Sequence, residues 1–234
     1  MEFPKDRVYH SVICVFAFIG YFFSSFSLLL TPAPATLFQS PYIISLISFF
    51  IYLPYCLIIW VAYQKKIKLM PLGHLQWSSL KAPFLALLGL YFISLFLGSE
   101  DDSWVTEIES ITGFAFFLFA LSVIFIAPIT EEVIFRGFLL NAGMWYGNIG
   151  KWIAIIISSL LFAAMHTQYE SITTFILIFV VGVVFCQIRI GTRSLIAPIV
   201  MHGIHNTISI VFFNVIEFLF NKFIFFIIKH LFTL

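Results

Sequence analysis

Glu131 and Glu132 stand side by side, with Arg136 four residues on, inside a run that is otherwise apolar from about Ile111 to Leu140. An ionised side chain buried there without a partner costs several kcal/mol. On a helix Glu132 and Arg136 are i and i+4 and can pair, whereas Glu131 points about 100° away and must find another partner. Later apolar runs carry His166, His202 and Asn206. His202 and Asn206 are again i and i+4, as are Phe162 and His166, so each pair shares a helix face. A single intramembrane His or Asn is ordinarily glue between helices. One unpaired Glu with two His and an Asn is an expensive way to glue a bundle. His205 lies three residues after His202, about 300° around the helix, and is the weaker candidate. Glu170 and Glu217 fall at loop or interface positions and read as solvated.

These groups suit hydrolysis. A glutamate in a partly dry cavity, beside a neutral histidine, can act as general base on a water that attacks a peptide carbonyl. The resulting oxyanion needs donors, and Asn206 with His202 offers N–H groups from one helix face. Glu132 with Arg136 orients the site and supplies the countercharge. Pro128 cannot donate to the helical ladder and frees the carbonyl of Ile124, so a bend is expected one turn before Glu131. Irregular backbone at membrane depth is tolerated where it is buried in protein or lines a wet cavity. Pro198 holds the equivalent place before His202.

The elements that must position these residues are membrane helices. The 234 residues are 62% hydrophobic and 10% charged, with mean hydropathy +1.07 and 31 Phe, which excludes an ordinary soluble domain. The expected fold is all-α, a polytopic transmembrane bundle of about eight helices forming one domain over residues 1–234, with a motif-bearing core at about 111–216. Apolar runs long enough to span fall at about Val8–Leu30, Pro41–Tyr63, Pro83–Leu97, Ile111–Leu140, Trp152–His166, Ile172–Ile188 and Ser194–Ile216. A shorter run at Phe218–Ile228 is either a span or an interfacial helix. The N-terminal run is too long for a signal-peptide core and reads as a retained span. Cys14, Cys56 and Cys186 are scattered singly in apolar segments, which suggests packing rather than a disulfide framework or thiolate site. Trp60, Trp77, Trp104, Trp145 and Trp152 lie near span ends, as interfacial anchors do. No basic cluster points to nucleic acid.

One mismatch of length stands out. At ~1.5 Å rise per residue, His202 lies ~12 Å from the start of its run, whereas His166 lies ~21 Å from Trp152. For the two to meet, one helix must tilt, break or begin at a different depth.

Glu131-Glu132-x-x-x-Arg136, Phe162-x-x-x-His166 and His202-x-x-x-Asn206, each on its own apolar run and in that order, closely resemble the CPBP or Abi family of intramembrane proteases. The resemblance covers about Pro128 to Asn206. It implies an endopeptidase with a water activated at Glu131 and assisted by His166, with His202 and Asn206 on the oxyanion side and Glu132, Arg136 and Phe162 in support. The implied partners are a peptide or membrane-protein substrate, of CAAX or leader-peptide type, and the lipid bilayer itself. The family has also been read as metal-dependent, and Glu131, His166 and His202 are a set that Zn²⁺ accepts. No His-Glu-x-x-His helix is present, and an Asn suits an oxyanion better, so no cofactor is expected. A catalytically silent scaffold or bacteriocin immunity protein on the same fold is the alternative. A transporter would show inverted repeats, whereas the polar motifs occupy only the second half of the chain.

Lys and Arg set the expected orientation. A cytoplasmic N-terminus in a multi-pass cell-membrane protein puts Lys5, Arg7, the Lys65–Lys81 stretch, Arg136, Lys151, Arg189, Arg193 and Lys229 on the inner side and the acidic Glu100–Glu109 stretch outside; Lys222 alone dissents. Cysteine labelling of intact cells is therefore expected to modify a Cys introduced at Ser103 and to spare one introduced at Lys68, with the reverse pattern inverting the topology.

Overall fold

The computed structural model describes residues 6–97, 108 and 110–211. Among these the regular structure is helical. Helix α1 spans Arg7–Ser24 and runs on as a 3₁₀ segment, Ser25–Leu30. A short α2, Pro34–Phe38, leads to α3, Ile43–Lys66. Helix α4 is Trp77–Leu97, α5 is Gly113–Gly143, α6 is Gly147–Ala164, α7 is Ile172–Thr192 and α8 is Ile196–Val211. Six of these segments, α1 with its extension and α3 to α7, are long and apolar enough to cross a membrane; α8 is a shorter apolar helix. The expected run Phe218–Ile228, the acidic stretch with Trp104, and Glu217 and Lys222 lie outside the described residues.

Two boundaries differ from expectation. Helix α4 begins at Trp77, so Pro83 lies inside it rather than at its start. Helix α6 begins at Gly147, where a left-handed glycine (φ +72°) turns the chain out of the α5–α6 connector. The outward faces carry large apolar side chains such as Phe16, Phe50, Ile58 and Ile149, as a lipid-facing surface requires. All three cysteines are buried thiols. Trp77 and Trp152 are exposed near helix ends, but Trp145 is buried and meets His10 edge to face, so it packs the core instead of anchoring in the interface.

Prolines mark the irregular turns of two helices. Each of the π segments Ser48–Tyr52 in α3 and Ser122–Ile126 in α5 ends two residues before a proline, Pro54 and Pro128. Proline has no N–H to give and its ring crowds the carbonyl of the preceding turn, and a wider turn relieves that clash. The carbonyls left over in α5 are then used by α8. Asn206 donates from Nδ2 to the Val123 carbonyl at 2.8 Å. Gly203 lies so close that a Cβ built on it would be 2.9 Å from the Ile124 carbonyl oxygen. Pro198, by contrast, has no π segment beside it: it occupies the first turn of α8, where helical N–H groups have no intrahelical partner to lose.

A loop from the end of α3 to α4 dips into the protein and sets where α8 begins. The Leu72 carbonyl accepts from the backbone N–H groups of Leu195 (3.0 Å) and Ile196 (2.9 Å) and from Ser194 Oγ (3.0 Å). Gly73, at φ +74°, lies against Ser194 with no room for a side chain. Asn141 Nδ2 holds the Leu69 carbonyl, Trp60 Nε1 holds that of Met70, and the Met70 side chain is fully buried against Gly137. Ser194, Leu195 and Ala197 are consequently buried. Helix α8 therefore starts inside the bundle, under this loop.

Gly203→Ala is expected to push α8 off a rigid backbone and to cost about 1–3 kcal/mol. Gly137→Ala meets only the movable end of Met70 and should cost less. Unfolding in detergent micelles compares the two, and a larger loss at Gly137 would refute backbone contact as the constraint.

Candidate active site

The polar centre is built on a third π segment, Glu132–Leu139, which is buried at every position. A turn with i→i+5 bonding takes more residues than an α turn, so neighbours along it diverge less in direction. Glu131 and Glu132 accordingly reach one imidazole instead of facing apart. His202 Nδ1 donates to Glu132 Oε1 at 2.9 Å, and His202 Nε2 lies 3.7 Å from Glu131 Oε2. The first is a hydrogen bond; the second is beyond one.

Glu132 also meets Arg136, Oε1 to Nη1 at 3.1 Å, with both side chains fully buried. Arg136 Nη2 donates to the Gly182 carbonyl at 3.2 Å. Its guanidinium lies over the Phe162 ring at 4.2 Å from the centroid, with Phe185 at 5.2 Å and Phe135 at 5.8 Å. Planar cations are well served by such faces in a water-poor site. Close approach of α6 and α7 makes this possible, since a Cβ on Gly182 would sit 3.0 Å from that of Ser159. Ser158 Oγ donates to the Phe135 carbonyl at 2.8 Å, satisfying an acceptor of the irregular turn.

Exposure separates the two carboxylates. The Glu131 side chain is 20% exposed and that of Glu132 is sealed. Glu131 alone of the two is partly exposed, and its Oε2, the oxygen nearest His202, is buried without a hydrogen-bond partner.

The expected residues fall as follows. Glu131, Glu132, Arg136 and His202 form one contiguous cluster. Phe162 joins it, with ring centroids 4.7 Å from His166 and 5.9 Å from His202. His166 lies in the turn just past the end of α6, where its Nδ1 donates to the Phe162 carbonyl at 2.7 Å. Asn206 spends one amide N–H on Val123, which gives it a structural duty beside any other. His205 turns to α4: its ring packs on Tyr91 at 4.9 Å, and its carbonyl accepts from the Tyr91 hydroxyl. Phe185, stacked on His202 at 4.7 Å, escapes a reading of residue types, since it is one Phe among 31. Among the described residues no three His, Cys, Asp or Glu side chains are arranged to hold a metal ion. His202 commits Nδ1 to Glu132 and His166 commits Nδ1 to a carbonyl, which leaves one ring nitrogen on each.

An all-α membrane bundle with a buried Glu–Arg–His centre is the class of protein these features define. Residues 113–208 match the family model for type II CAAX prenyl endopeptidase Rce1-like proteins. Over 100 residues the chain is 33% identical to the membrane-embedded CAAX protease MroQ of Staphylococcus aureus (strain USA300), covering 41% of this chain and 38% of that one. It is 28% identical over 168 residues to an uncharacterized 24.3 kDa protein of Escherichia coli, covering 68% of this chain and 76% of the relative. No solved structure matches. Over its motif-bearing part the chain is thus similar to type II CAAX prenyl endopeptidases and to a membrane-embedded CAAX protease.

Arg136→Ala is expected to cost about 3–5 kcal/mol, because it strands a buried carboxylate. Glu132→Gln combined with Arg136→Met should recover most of that loss. Unfolding midpoints in detergent test this, and a single variant as stable as the parent would remove the pair from its central place.

Proposed function

We propose that the chain is an intramembrane endopeptidase that cleaves a peptide bond with a water activated at Glu131. The observation that carries the reading is the pair of acceptors facing each other across 3.7 Å, Glu131 Oε2 and His202 Nε2. Glu132, ionised against Arg136, accepts the Nδ1 hydrogen of His202, so the neutral ring offers a lone pair at Nε2. Two acceptors this close repel unless something donates to both. A water between them gives one hydrogen to each and turns its oxygen outward, ready for attack.

In the first step the water oxygen forms a bond to the substrate carbonyl carbon while a proton passes to Glu131. The carbonyl electrons move to oxygen, and the second N–H of the Asn206 amide is the donor for that oxyanion. In the second step the C–N bond breaks and the proton returns from Glu131 to the leaving amine, with His166 on the leaving-group side through Nε2. His202 thus flanks the water instead of facing the oxyanion, a shift from the assignment that spacing suggested. Glu132 and Arg136 hold His202 in its tautomer and do not touch substrate. No step here calls for a metal.

The substrate class is a peptide or membrane protein presented at the basic end of the bundle, as a CAAX-type tail or a leader peptide. Similarity to a CAAX protease supports the first. The N-terminus lies on the cytoplasmic side in this reading.

Purified Glu131→Gln is expected to lose at least about 10²-fold in cleavage of a fluorogenic peptide, the usual worth of a general base, while unfolding at the parent temperature. Retained cleavage would sink the mechanism. Loss of activity to a chelator, restored by Zn²⁺, would move Glu131, His166 and His202 to ligand roles.

A further inference from the structure

A second concentration of charge lies apart from the Glu–His centre. A cavity of about 260 Å³ opens between the end of α5 and the end of α7, with Leu140, Asn141 and Trp145 on one side and Arg189, Ile190 and Arg193 on the other. Arg189 is only 4% exposed, and its Nε has no hydrogen-bond partner. Among the described residues no carboxylate pairs with Arg189. Asp6 is used at the start of α1, where Oδ1 accepts from the Tyr9 N–H at 2.9 Å. Glu170 precedes α7, roughly 28 Å along the helix from Arg189. The last carbonyls of α7 favour a cation by up to about 1–2 kcal/mol, less than the several kcal/mol that desolvating one costs.

The surroundings add charge of the same sign. Arg7 Nη1 donates at 3.2 Å to the carbonyl of Trp145, a wall residue of the cavity, which places a third arginine nearby. Lys65 and Lys66 close α3 at the end of the bundle where the α3–α4 loop meets Asn141 and Ser194. Arg193 itself is exposed and ends α7 in the left-handed conformation. A buried guanidinium with no counterion among the described residues, a second one at the mouth, and apolar walls of Leu140, Met144 and Ile190 ask for an anion that is tethered to something apolar.

We infer that this cavity binds the phosphate headgroup of an anionic phospholipid from the leaflet at the basic end of the bundle. The volume suits a phosphate with a small polar substituent, and it leaves the acyl chains in the bilayer. Arg189 supplies the buried contact through Nε, and Arg193 closes over the phosphate from the rim. Anionic lipid gathers at basic pockets between membrane helices for the same electrostatic reason. The site is separate from the proposed chemistry, and its occupancy can be read without any cleavage.

Native mass spectrometry of the detergent-purified chain, with dioleoylphosphatidylglycerol, dioleoylphosphatidylcholine or inorganic phosphate added, tests the assignment. The parent is expected to retain phosphatidylglycerol, and Arg193→Gln, an exposed change that leaves the core intact, to retain at least about fivefold less, the loss of one charge-assisted hydrogen bond. Arg189→Gln should lose more. Equal retention of phosphatidylcholine, or unchanged retention by Arg193→Gln, overturns the proposal. Displacement of the lipid by inorganic phosphate assigns the site to a free oxyanion and overturns the lipid reading. Displacement by a peptide with a free C-terminal carboxylate, but not by its amide, gives the site to substrate and overturns it as well.

Discussion

The contact between Glu132 and Arg136 is the constraint on which the rest of this protein rests. Both are sealed from solvent, and a buried pair depends on further partners, although Glu132 Oε2 and Arg136 Nε remain without a hydrogen bond. His202 supplies a donor to the carboxylate, Gly182 an acceptor for the guanidinium, and Phe162 a face for it. Each of these comes from a different helix, α8, α7 and α6. Neutralising one ion pair therefore ties four helices together, and the tie also determines the orientation of the histidine nearest Glu131.

Irregular helix geometry is the means by which this is achieved. Pro128 widens the turn before it, and the carbonyls so released become the docking points of α8 through Asn206 and Gly203. The next π segment then brings both glutamates within reach of one ring. A regular α-helix would satisfy its own backbone and offer neither the docking points nor the paired carboxylates. The departures from regularity cluster where polar groups converge, and the backbone is shielded by protein there, as it must be in lipid.

In the proposed mechanism the same asymmetry of exposure that distinguishes the carboxylates divides their work. Glu132 is held, and Glu131 faces a gap. A base must exchange protons with something that enters and leaves, so the sealed residue is suited to support and the accessible one to chemistry. Arg189, at the opposite end of α7 from Glu170, is a buried charge that no carboxylate among the described residues pairs with.

Hydrophobic run length, proline placement and the order of the three polar motifs were enough to establish an all-α membrane bundle, the spans that carry the site, and the Glu132–Arg136 pair, because each depends on short-range spacing along one helix. What spacing along a helix cannot express is how helices cross. That His202 serves both glutamates, that Asn206 is engaged by the Val123 carbonyl, and that Phe185 rather than any other Phe stacks on His202 were decided by tertiary packing. So was the depth at which α8 begins, set by the Leu72 carbonyl from a loop more than 120 residues earlier in the chain. Local periodicity reports which face of a helix is polar; only contact between backbones reports which polar face it meets.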